Sequence, residues 1–398
     1  MRIQLKYMVA SLVVVSSSML FAGNWTLNTT TKILTSEDGY WSLTNCSVSG
    51  STLTLGKVLT AAADGVLDFR STRVDGTSIT TLGFNRVSGV FSTAPIREFY
   101  CDKFDRIENS LFKNNTTLEK VVVTTSGSAR TAFASAFEGC VNLKEVSLPQ
   151  PLTGHYEKIF SGCQNLDMDI ADLFAPSSGG VGKSSYAGCA KLHGKLVLDS
   201  ISGGSSLPTD AFSGSGIEEL VITSPNLLGI VNGPFKSCTS LTNVTIACPN
   251  LTSFSSTSNP FSGCTNLRRV TFDCPNLNSI NTSTSYAHFF ANCSSISEVI
   301  FKNPPWKNSD GGDIMRTWLN KHVLCNVSAV AATVDAPKNC TIYALRSDYK
   351  PYASAMTGDY ERQYAPKRCY GVYCNSSSRL AYMAQPPDYK SGMFVSVQ

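Results

Sequence analysis

Fourteen cysteines are the residues of this 398-residue chain with the greatest capacity for chemistry. Thiols form disulfides, bind soft metal ions and act as nucleophiles, and each role requires its own spacing and neighbours. Six of them follow an aromatic residue by three positions and precede Leu or Ile by three: Cys140, Cys163, Cys189, Cys238, Cys264 and Cys293. Such uniform flanks indicate one structural position that recurs along the chain, rather than a single reactive site.

Metal binding and catalysis have little support in the sequence. No Cys-x-x-Cys pair occurs, and Asp310-Gly-Gly-Asp313 lacks the further carboxylates of a calcium loop, so it is interpreted as a turn. The four histidines lie in no nucleophile or metal motif: His155, His193, His288 and His322. We therefore predict no catalytic residue, no metal site and no cofactor.

The cysteine pattern belongs to a longer phrase, Phe-x-x-Cys-x-x-Leu-x-x-Val-x-Leu, whose clearest copy runs from Phe137 to Leu148. After the opening Leu143, Val146 and Leu148 alternate with polar residues, which is typical of a half-buried strand. A recurring unit of this size predicts a solenoid, in which each coil buries the apolar face of its neighbour. The opening residues lie 17 to 29 positions apart: Ile79, Ile96, Leu118, Leu143, Leu166, Leu192, Ile217, Leu241, Leu267 and Ile296.

The run from Ala136 to Pro149 resembles the BspA-type leucine-rich repeat, and the resemblance covers roughly residues 79–302. It implies a leucine-rich-repeat solenoid with short strands on one face. Together with the ten opening residues, each of which starts one rung, the resemblance predicts a mainly β fold with short turns and helical segments. About ten rungs form one continuous sheet, with a cap at the N-terminal and at the C-terminal end. It also implies a cell-surface or secreted protein that binds host proteins, other microbes or matrix.

The two ends of the chain differ from the repeats. Arg2 and Lys6 precede an apolar run that ends at Phe21, which predicts a signal peptide over residues 1–22; a short anchor helix is the alternative. Residues 23–78 are predicted to form an N-terminal β cap, residues 79–302 the solenoid and residues 303–365 a C-terminal cap. Residues 366–398 are predicted to form a small tyrosine-rich β tail, which either stands alone or completes the cap.

Composition narrows the range of partners. The chain is 42% hydrophobic and 16% charged, with a formal net charge of +4, so no basic patch favours nucleic acid. No second apolar span follows residue 22, which predicts no transmembrane segment after signal cleavage. We expect a secreted or cell-surface location.

Geometry argues against disulfides between the repeated cysteines. Neighbours in one column of parallel strands lie about 4.8 Å apart with parallel Cβ vectors, whereas a disulfide needs facing Cβ atoms about 3.8 Å apart. The six repeated cysteines are therefore predicted to form a ladder of buried thiols that act as small apolar wedges. Cys369 and Cys374, close together in the tail, are the best disulfide candidates, and Cys325 with Cys340 is a weaker pair.

Binding is predicted on the outward side of the strands. One outward column has mixed charge: Lys120, Glu145, Lys195, Glu219, Asn243, Arg269 and Glu298. The next has small, partly apolar residues: Val122, Ser147, Val197, Val221, Thr245, Thr271 and Ile300. These surfaces suit contact with a protein through shape and charge. They are equally compatible with a face that only keeps the chain soluble.

The sequence leaves three functions open. The first is an exported, adhesin-like interaction module that binds a host or neighbouring-cell protein or a matrix component through the solenoid sheet. The second is a carbohydrate-active enzyme on a parallel β-helix, which should carry clustered carboxylates or basic groups on adjacent rungs. The third is a structural envelope component without a discrete ligand. Because the charges are spread singly along the array, the first is preferred, and the chain is predicted not to be an enzyme.

Overall fold

The computed structural model describes residues 23–84, 89–102, 109–124, 134–148, 157–173, 181–201, 206–230, 233–254, 259–277, 279–280, 290, 292–296, 298–302, 341–345 and 372–373. These residues form 24 strands and one short helix. The predicted fold class, a mainly β leucine-rich-repeat solenoid, is confirmed. The predicted signal peptide over residues 1–22 lies outside the described residues, as do Cys369 and Cys374.

The described residues begin with short strands, mostly antiparallel, in two small sheets. One sheet has the order β6-β3-β2-β1-β8-β9 and the other the order β10-β5-β4. The Trp25 ring stacks on Phe69 of the first coil at 5.0 Å, so apolar contacts continue from these sheets into the solenoid. The strands up to residue 84 are Asn24–Asn28 (β1), Ile33–Ser36 (β2), Ser42–Leu43 (β3), Ser47–Ser49 (β4), Thr52–Leu55 (β5), Val58–Thr60 (β6), Val66–Asp68 (β7), Arg73–Val74 (β8), Thr77–Ser78 (β9) and Thr81–Phe84 (β10).

A first parallel sheet follows, with β11 Glu98–Cys101, β12 Lys120–Val123 and β13 Glu145–Ser147. Its order is β13-β12-β11-β7, so its first member is β7. The prediction that a rung of the solenoid opens at Ile79 is therefore wrong. Ile79 is buried between β9 and β10, and these strands belong to the two small sheets described above rather than to the first parallel sheet. The inward side chains of β12 are buried, and the outward ones are half-buried, as period-two alternation requires.

The rung that opens at Leu166 forms no strand. Its backbone starts in register, because the Asp167 amide donates to the Lys144 carbonyl, but the chain then turns into the helix α1, Ile170–Leu173. Asp169 accepts a hydrogen bond from the Ala171 amide at 2.9 Å, which is the geometry of a helix N-cap. The outward face is thus two sheets rather than the one continuous sheet predicted.

The second half of the solenoid has two parallel sheets. The larger has the order β14-β16-β18-β20-β22-β23-β24, and the smaller has the order β15-β17-β19-β21. The strands are Lys195–Leu198 (β14), Ser206–Leu207 (β15), Glu219–Ile222 (β16), Gly229–Ile230 (β17), Asn243–Ile246 (β18), Ser253–Phe254 (β19), Arg269–Asp273 (β20), Ser279–Ile280 (β21), Glu298–Lys302 (β22), Thr341–Leu345 (β23) and Val372–Tyr373 (β24). The parallel ladder therefore continues beyond Lys302, where the sequence pattern ends.

A stack of aromatic rings forms the axis of the core. From Phe112 to Phe290, consecutive rings stack with centroids 5.2 to 6.2 Å apart: Phe112, Phe137, Phe160, Tyr186, Phe212, Phe235, Phe261 and Phe290. The solenoid has about seven turns, fewer than the ten predicted. Part of the excess arose because Ile79, which lies between strands of the N-terminal sheets, was counted as the start of a rung.

The turn side of each coil is also hydrogen-bonded to its neighbour. The Phe137 amide donates to the Ile159 carbonyl and the Phe160 amide to the Ser185 carbonyl, both at 2.9 Å. These bonds require two left-handed residues per turn, such as Ser135 with φ of 59° and Gly139 with φ of 75°. Glycine takes this conformation without cost, which explains its frequent presence before the repeated cysteine.

Candidate functional site

The predicted charged column lies on the outward face, divided between the two sheets. In the first sheet, Lys120 is in register with Glu98 on one side and Glu145 on the other. In the second sheet, one backbone register joins the other five members: Lys195, Glu219, Asn243, Arg269 and Glu298. The structure therefore brings together the members within each half, and α1 interrupts the column between Glu145 and Lys195.

Much of the column's charge is neutralised across strands. The Lys120 Nζ lies 2.8 Å from a Glu145 carboxylate oxygen, and the Lys195 Nζ lies 3.0 Å from a Glu219 oxygen. Opposite charges that face each other across strands stabilise a sheet modestly. The four side chains are between 30% and 53% exposed, so water screens both pairs strongly.

Removal of Lys195 is expected to have little effect on stability. A Lys195→Ala variant should lower the free energy of unfolding by less than about 1 kcal/mol, because the ion pair with Glu219 is half exposed. A matched Leu196→Ala variant, which truncates a buried residue of the same strand, should cost about 2–5 kcal/mol. Urea unfolding of the three proteins measures both values. A Lys195→Ala cost above about 2 kcal/mol would show that the ion pair is structural.

The small outward column is half-buried. Val197, Val221, Thr245 and Thr271 occupy successive strands of the second sheet in continuous register. Each is partly exposed, so the column offers a β-branched strip beside the charged one. Such a strip can contact a partner through shape, whereas the charged column beside it can set orientation.

A polar cluster that the sequence analysis missed lies at the start of the first sheet. We call it the Tyr100 cluster: Asp68, Arg70, Glu98, Tyr100 and Asp102. The Arg70 guanidinium lies 4.3 Å from the centre of the Tyr100 ring and forms a two-pronged ion pair with Asp68. The Tyr100 hydroxyl donates to a Glu98 carboxylate oxygen at 2.6 Å. Burial, followed by the hydrogen bond to Glu98, raises the pKa of Tyr100, so the hydroxyl remains a donor at neutral pH.

One carboxylate oxygen of this cluster has no donor. The Asp102 Oδ2 accepts the Ser71 amide at 3.1 Å, but its Oδ1 is buried and makes no hydrogen bond. A buried acceptor without a donor costs about 1–3 kcal/mol, and such atoms are rare in folded proteins.

The six repeated cysteines form one buried column of free thiols. Each sulfur lies 3.0 to 3.1 Å from the carbonyl oxygen of an aromatic residue in the preceding coil and donates to it. Asn115 occupies the same slot and donates to the Phe91 carbonyl at 2.7 Å. The slot therefore supplies a hydrogen-bond donor, a more specific role than the apolar wedge predicted from sequence.

Burial makes at least three of these thiols poor nucleophiles. It raises the pKa of Cys140, Cys189 and Cys293 from 9.0 to about 12 in each case. Four further cysteines among the described residues are also free and buried: Cys46, Cys101, Cys248 and Cys274. Thiolate chemistry at neutral pH is therefore disfavoured at Cys140, Cys189 and Cys293.

No metal centre is present in the described part of the chain, where no group of three or more His, Cys, Asp or Glu residues could hold an ion. Of the four histidines, only His193 is described; its Nε2 lies 3.7 Å from an Asp167 oxygen at the surface. An open groove of about 560 Å³ lies near Asp64, Arg97 and Glu119. Arg97 donates there to the Asp64 carbonyl and Lys144 to Glu119, so these polar groups already have partners.

Asparagines connect the turns and were also missed. The side-chain amide of Asn142 donates to the Thr116 carbonyl, and Asn165 repeats this bond to Val141. A second ladder joins Asn250 to the Pro225 carbonyl and Asn276 to the Pro249 carbonyl. The recurrence of Pro-Asn-Leu in three successive coils was the available sequence signal.

Stacked coils, an aromatic axis and an outward parallel sheet define a leucine-rich-repeat solenoid protein. A sequence profile described as "BspA type Leucine rich repeat region" matches residues 85–167 and 180–308 in six copies, more than half of the chain. The chain therefore belongs to the BspA-type leucine-rich-repeat family. Repeats of this family serve in general as protein-interaction modules.

Several solved structures match the chain at low sequence identity. A leucine rich cell surface protein from Faecalibacterium prausnitzii matches with a TM-score of 0.45 and 15% identity over 89% of this chain and 97% of its own. A leucine-rich repeat protein from Bacteroides ovatus matches with a TM-score of 0.36 and 15% identity over 89% and 98%. The pneumococcal vaccine antigen PcpA matches with a TM-score of 0.31 and 12% identity over 92% and 99%. No curated protein sequence gives a significant match.

Among the described residues, no helix combines the length and the apolar character that crossing a bilayer requires.

Proposed function

We propose that the chain is an exported surface or secreted interaction module, adhesin-like in role, that binds a host or neighbouring-cell protein or a matrix component through its outward sheet. The observation that carries this proposal is the in-register outward face of the second sheet, where five strands, from β14 to β22, present equivalent positions side by side. Solenoids use such extended surfaces for binding. Export is supported by the basic start and apolar run of residues 1–22.

The distribution of charge supports recognition over catalysis. Although Asp68 and Glu98 lie on adjacent strands, the first is held by Arg70 and the second by the Tyr100 hydroxyl. Both carboxylates are therefore engaged by local donors, which suits a fixed surface better than proton transfer to a substrate. The chain is proposed to be a non-enzymatic binder.

Site-specific photo-cross-linking tests this proposal. A benzophenone amino acid replaces Val221, at the centre of the second sheet, or Ser161, on the turn side of the solenoid as a matched control. After incubation with solubilised host matrix and with neighbouring cells, we expect discrete cross-linked products from position 221 and none from position 161. Equal products from both positions, or none from either, would contradict binding through the sheet. Depolymerisation of any member of a polysaccharide panel would contradict the non-enzymatic role.

A further inference from the structure

A second column of charged residues lies one position before the charged column of the first sheet, where each coil turns into its strand. Its members are in backbone register, because each amide donates to the carbonyl of the preceding member at 2.7 to 3.0 Å. The charges alternate in sign, and we call this column the charge ladder: Arg97, Glu119, Lys144 and Asp167. Since neighbouring coils are about 4.8 Å apart, the ladder is about 14 Å long.

Glycines bound the charge ladder on both sides. The Arg97 amide donates to the Gly65 carbonyl at 2.8 Å, so Gly65 has the equivalent position in the preceding coil. Where the second sheet begins, the Glu218 amide donates to the Gly194 carbonyl at 2.9 Å in the same way. Neither glycine adds a side chain, so the ladder has an even number of members, two of each sign.

An alternating ladder with an even number of members is complementary to a second copy of itself. When two copies meet across a two-fold axis, the ladders run antiparallel, so the first member faces the last and the second faces the third. Arg97 of one copy then faces Asp167 of the other, and Glu119 faces Lys144, so every contact joins opposite charges. A partner of a single sign would meet like charge at every second rung, which disfavours nucleic acid or a basic peptide.

The side chains of the charge ladder are accessible to a second copy. They are 46%, 35%, 61% and 65% exposed, in ladder order. The Lys144 Nζ lies 2.9 Å from a Glu119 oxygen, and two copies join these pairs into a ring of four alternating charges. Asp167 lies 3.7 Å from the Nε2 of His193, an imidazole that is charged only when protonated, so its carboxylate has no permanent cation among the described residues.

The open groove of about 560 Å³ lies at the Arg97 end of the charge ladder. Antiparallel docking brings the exposed Asp167 end of the second copy to this groove. A guanidinium has five N–H donors, so Arg97 can bind this carboxylate while it keeps its contacts with Asp64 and Glu98. The groove is lined there by Gly65, Pro95, Arg97, Thr117 and Glu119.

We propose that the chain forms a two-fold dimer through the charge ladder, with a second copy of itself as the partner. This inference goes beyond the proposed function, since a dimer displays two outward sheets and two linked binding surfaces raise avidity for a repetitive target. A short polar contact belongs to the weak class of interfaces, so we expect a dissociation constant of about 10 to 100 μM at low salt.

Sedimentation velocity of the whole chain tests the dimer. Its dissociation constant should rise at least about ten-fold between about 0.02 and 0.5 M salt, because the contacts are charged and exposed. Arg97→Glu and Asp167→Arg each place like charges opposite one another across the axis, so either variant alone should self-associate at least about ten-fold more weakly. An equimolar mixture of the two should dimerise about as tightly as the unchanged chain, because every reversed residue then faces an opposite charge.

Matched controls reverse charge on the turn side of the solenoid. Lys183→Glu and Glu157→Arg make the corresponding changes of sign at exposed positions outside the charge ladder. Each should leave the dissociation constant within about three-fold of that of the unchanged chain.

Each other outcome overturns the proposal. A chain that stays monomeric up to about 200 μM at low salt would exclude the dimer. A dimer that is insensitive to salt, is unaffected by Arg97→Glu or Asp167→Arg, or is not restored by mixing would exclude the charge ladder as its interface. Mixing also separates a lost contact from a misfolded variant, since misfolded chains would not recover. Cross-linking from position 221 decides the proposed function separately, because that position lies in the second sheet and outside the ladder.

Discussion

A Phe160→Ala variant is expected to lose about 3–5 kcal/mol of folding free energy, the largest effect of a single substitution considered for this chain. Phe160 is fully buried and stacks on Phe137 at 5.2 Å and on Tyr186 at 5.7 Å. Truncation leaves a cavity in the middle of the ring stack, where rigid coils on both sides limit collapse. Because each coil is stabilised by its neighbours, the loss should weaken the coils on both sides.

Urea unfolding followed by circular dichroism measures the total effect, and hydrogen exchange locates it. We expect increased exchange at the amides of Phe137 and Tyr186, which hydrogen-bond to adjacent coils, and little change in the cap strand β1. Leu228→Ala is the matched control: Leu228 is 45% exposed, and its truncation should cost less than about 0.5 kcal/mol. A Phe160→Ala cost below about 1 kcal/mol would show that the rings do not form a common core.

Alkaline pH is expected to destabilise the solenoid, because its buried thiols release their protons more readily in the unfolded chain than in the folded one. Burial holds the pKa of Cys140, Cys189 and Cys293 at about 12, against an ordinary value of 9.0. Below pH 9 these thiols are protonated in both states, so their contribution to stability is fully present. Between pH 9 and 12 only the unfolded chain releases the protons, and each thiol then costs about 1.4 kcal/mol per pH unit. The three together should remove about 4 kcal/mol per unit, and the loss ends as pH passes the folded pKa.

A control variant separates the effect of these thiols from that of lysines and tyrosines, which also titrate at alkaline pH. A triple Cys→Ser variant at positions 140, 189 and 293 keeps hydrogen-bond donors in the slots, and Ser215 already occupies one such slot. Denaturation midpoints at pH 8, 9, 10 and 11 should fall much less steeply for this variant. An unchanged slope would contradict the thiol mechanism. The denatured, unreduced chain should also release free thiols, whereas nearly complete oxidation would contradict the ladder.

The two halves of the outward face differ in a way that bears on function. The first sheet carries the paired tyrosine and arginine and the unsatisfied Asp102 oxygen. The second carries a strip of β-branched residues beside ion-paired charges.

The sequence by itself determined the periodic part of this protein. The inward residues of each strand, the aromatic before each cysteine and the cysteine slot all recur at fixed local spacing, and burial follows from that spacing when equivalent coils stack. The burial of Phe137, Cys140 and Val146 could therefore be predicted from the sequence. The charged outward column was predicted on the same basis, and its register in each sheet follows directly.

Only the tertiary structure decided what depends on contacts between unlike segments. Asp169 starts a helix where the pattern favoured a strand, which divides the outward sheet. The Tyr100 cluster unites residues 32 positions apart, Arg70 and Asp102, because β7 pairs with β11 despite the unrelated sequence between them. The thiols became donors once the carbonyl groups of the preceding coil were placed beside them. Local spacing specifies which face of the coil a residue occupies. The residues that it contacts depend on the register between one coil and the next, and this register cannot be read from the sequence because the connecting loops vary in length.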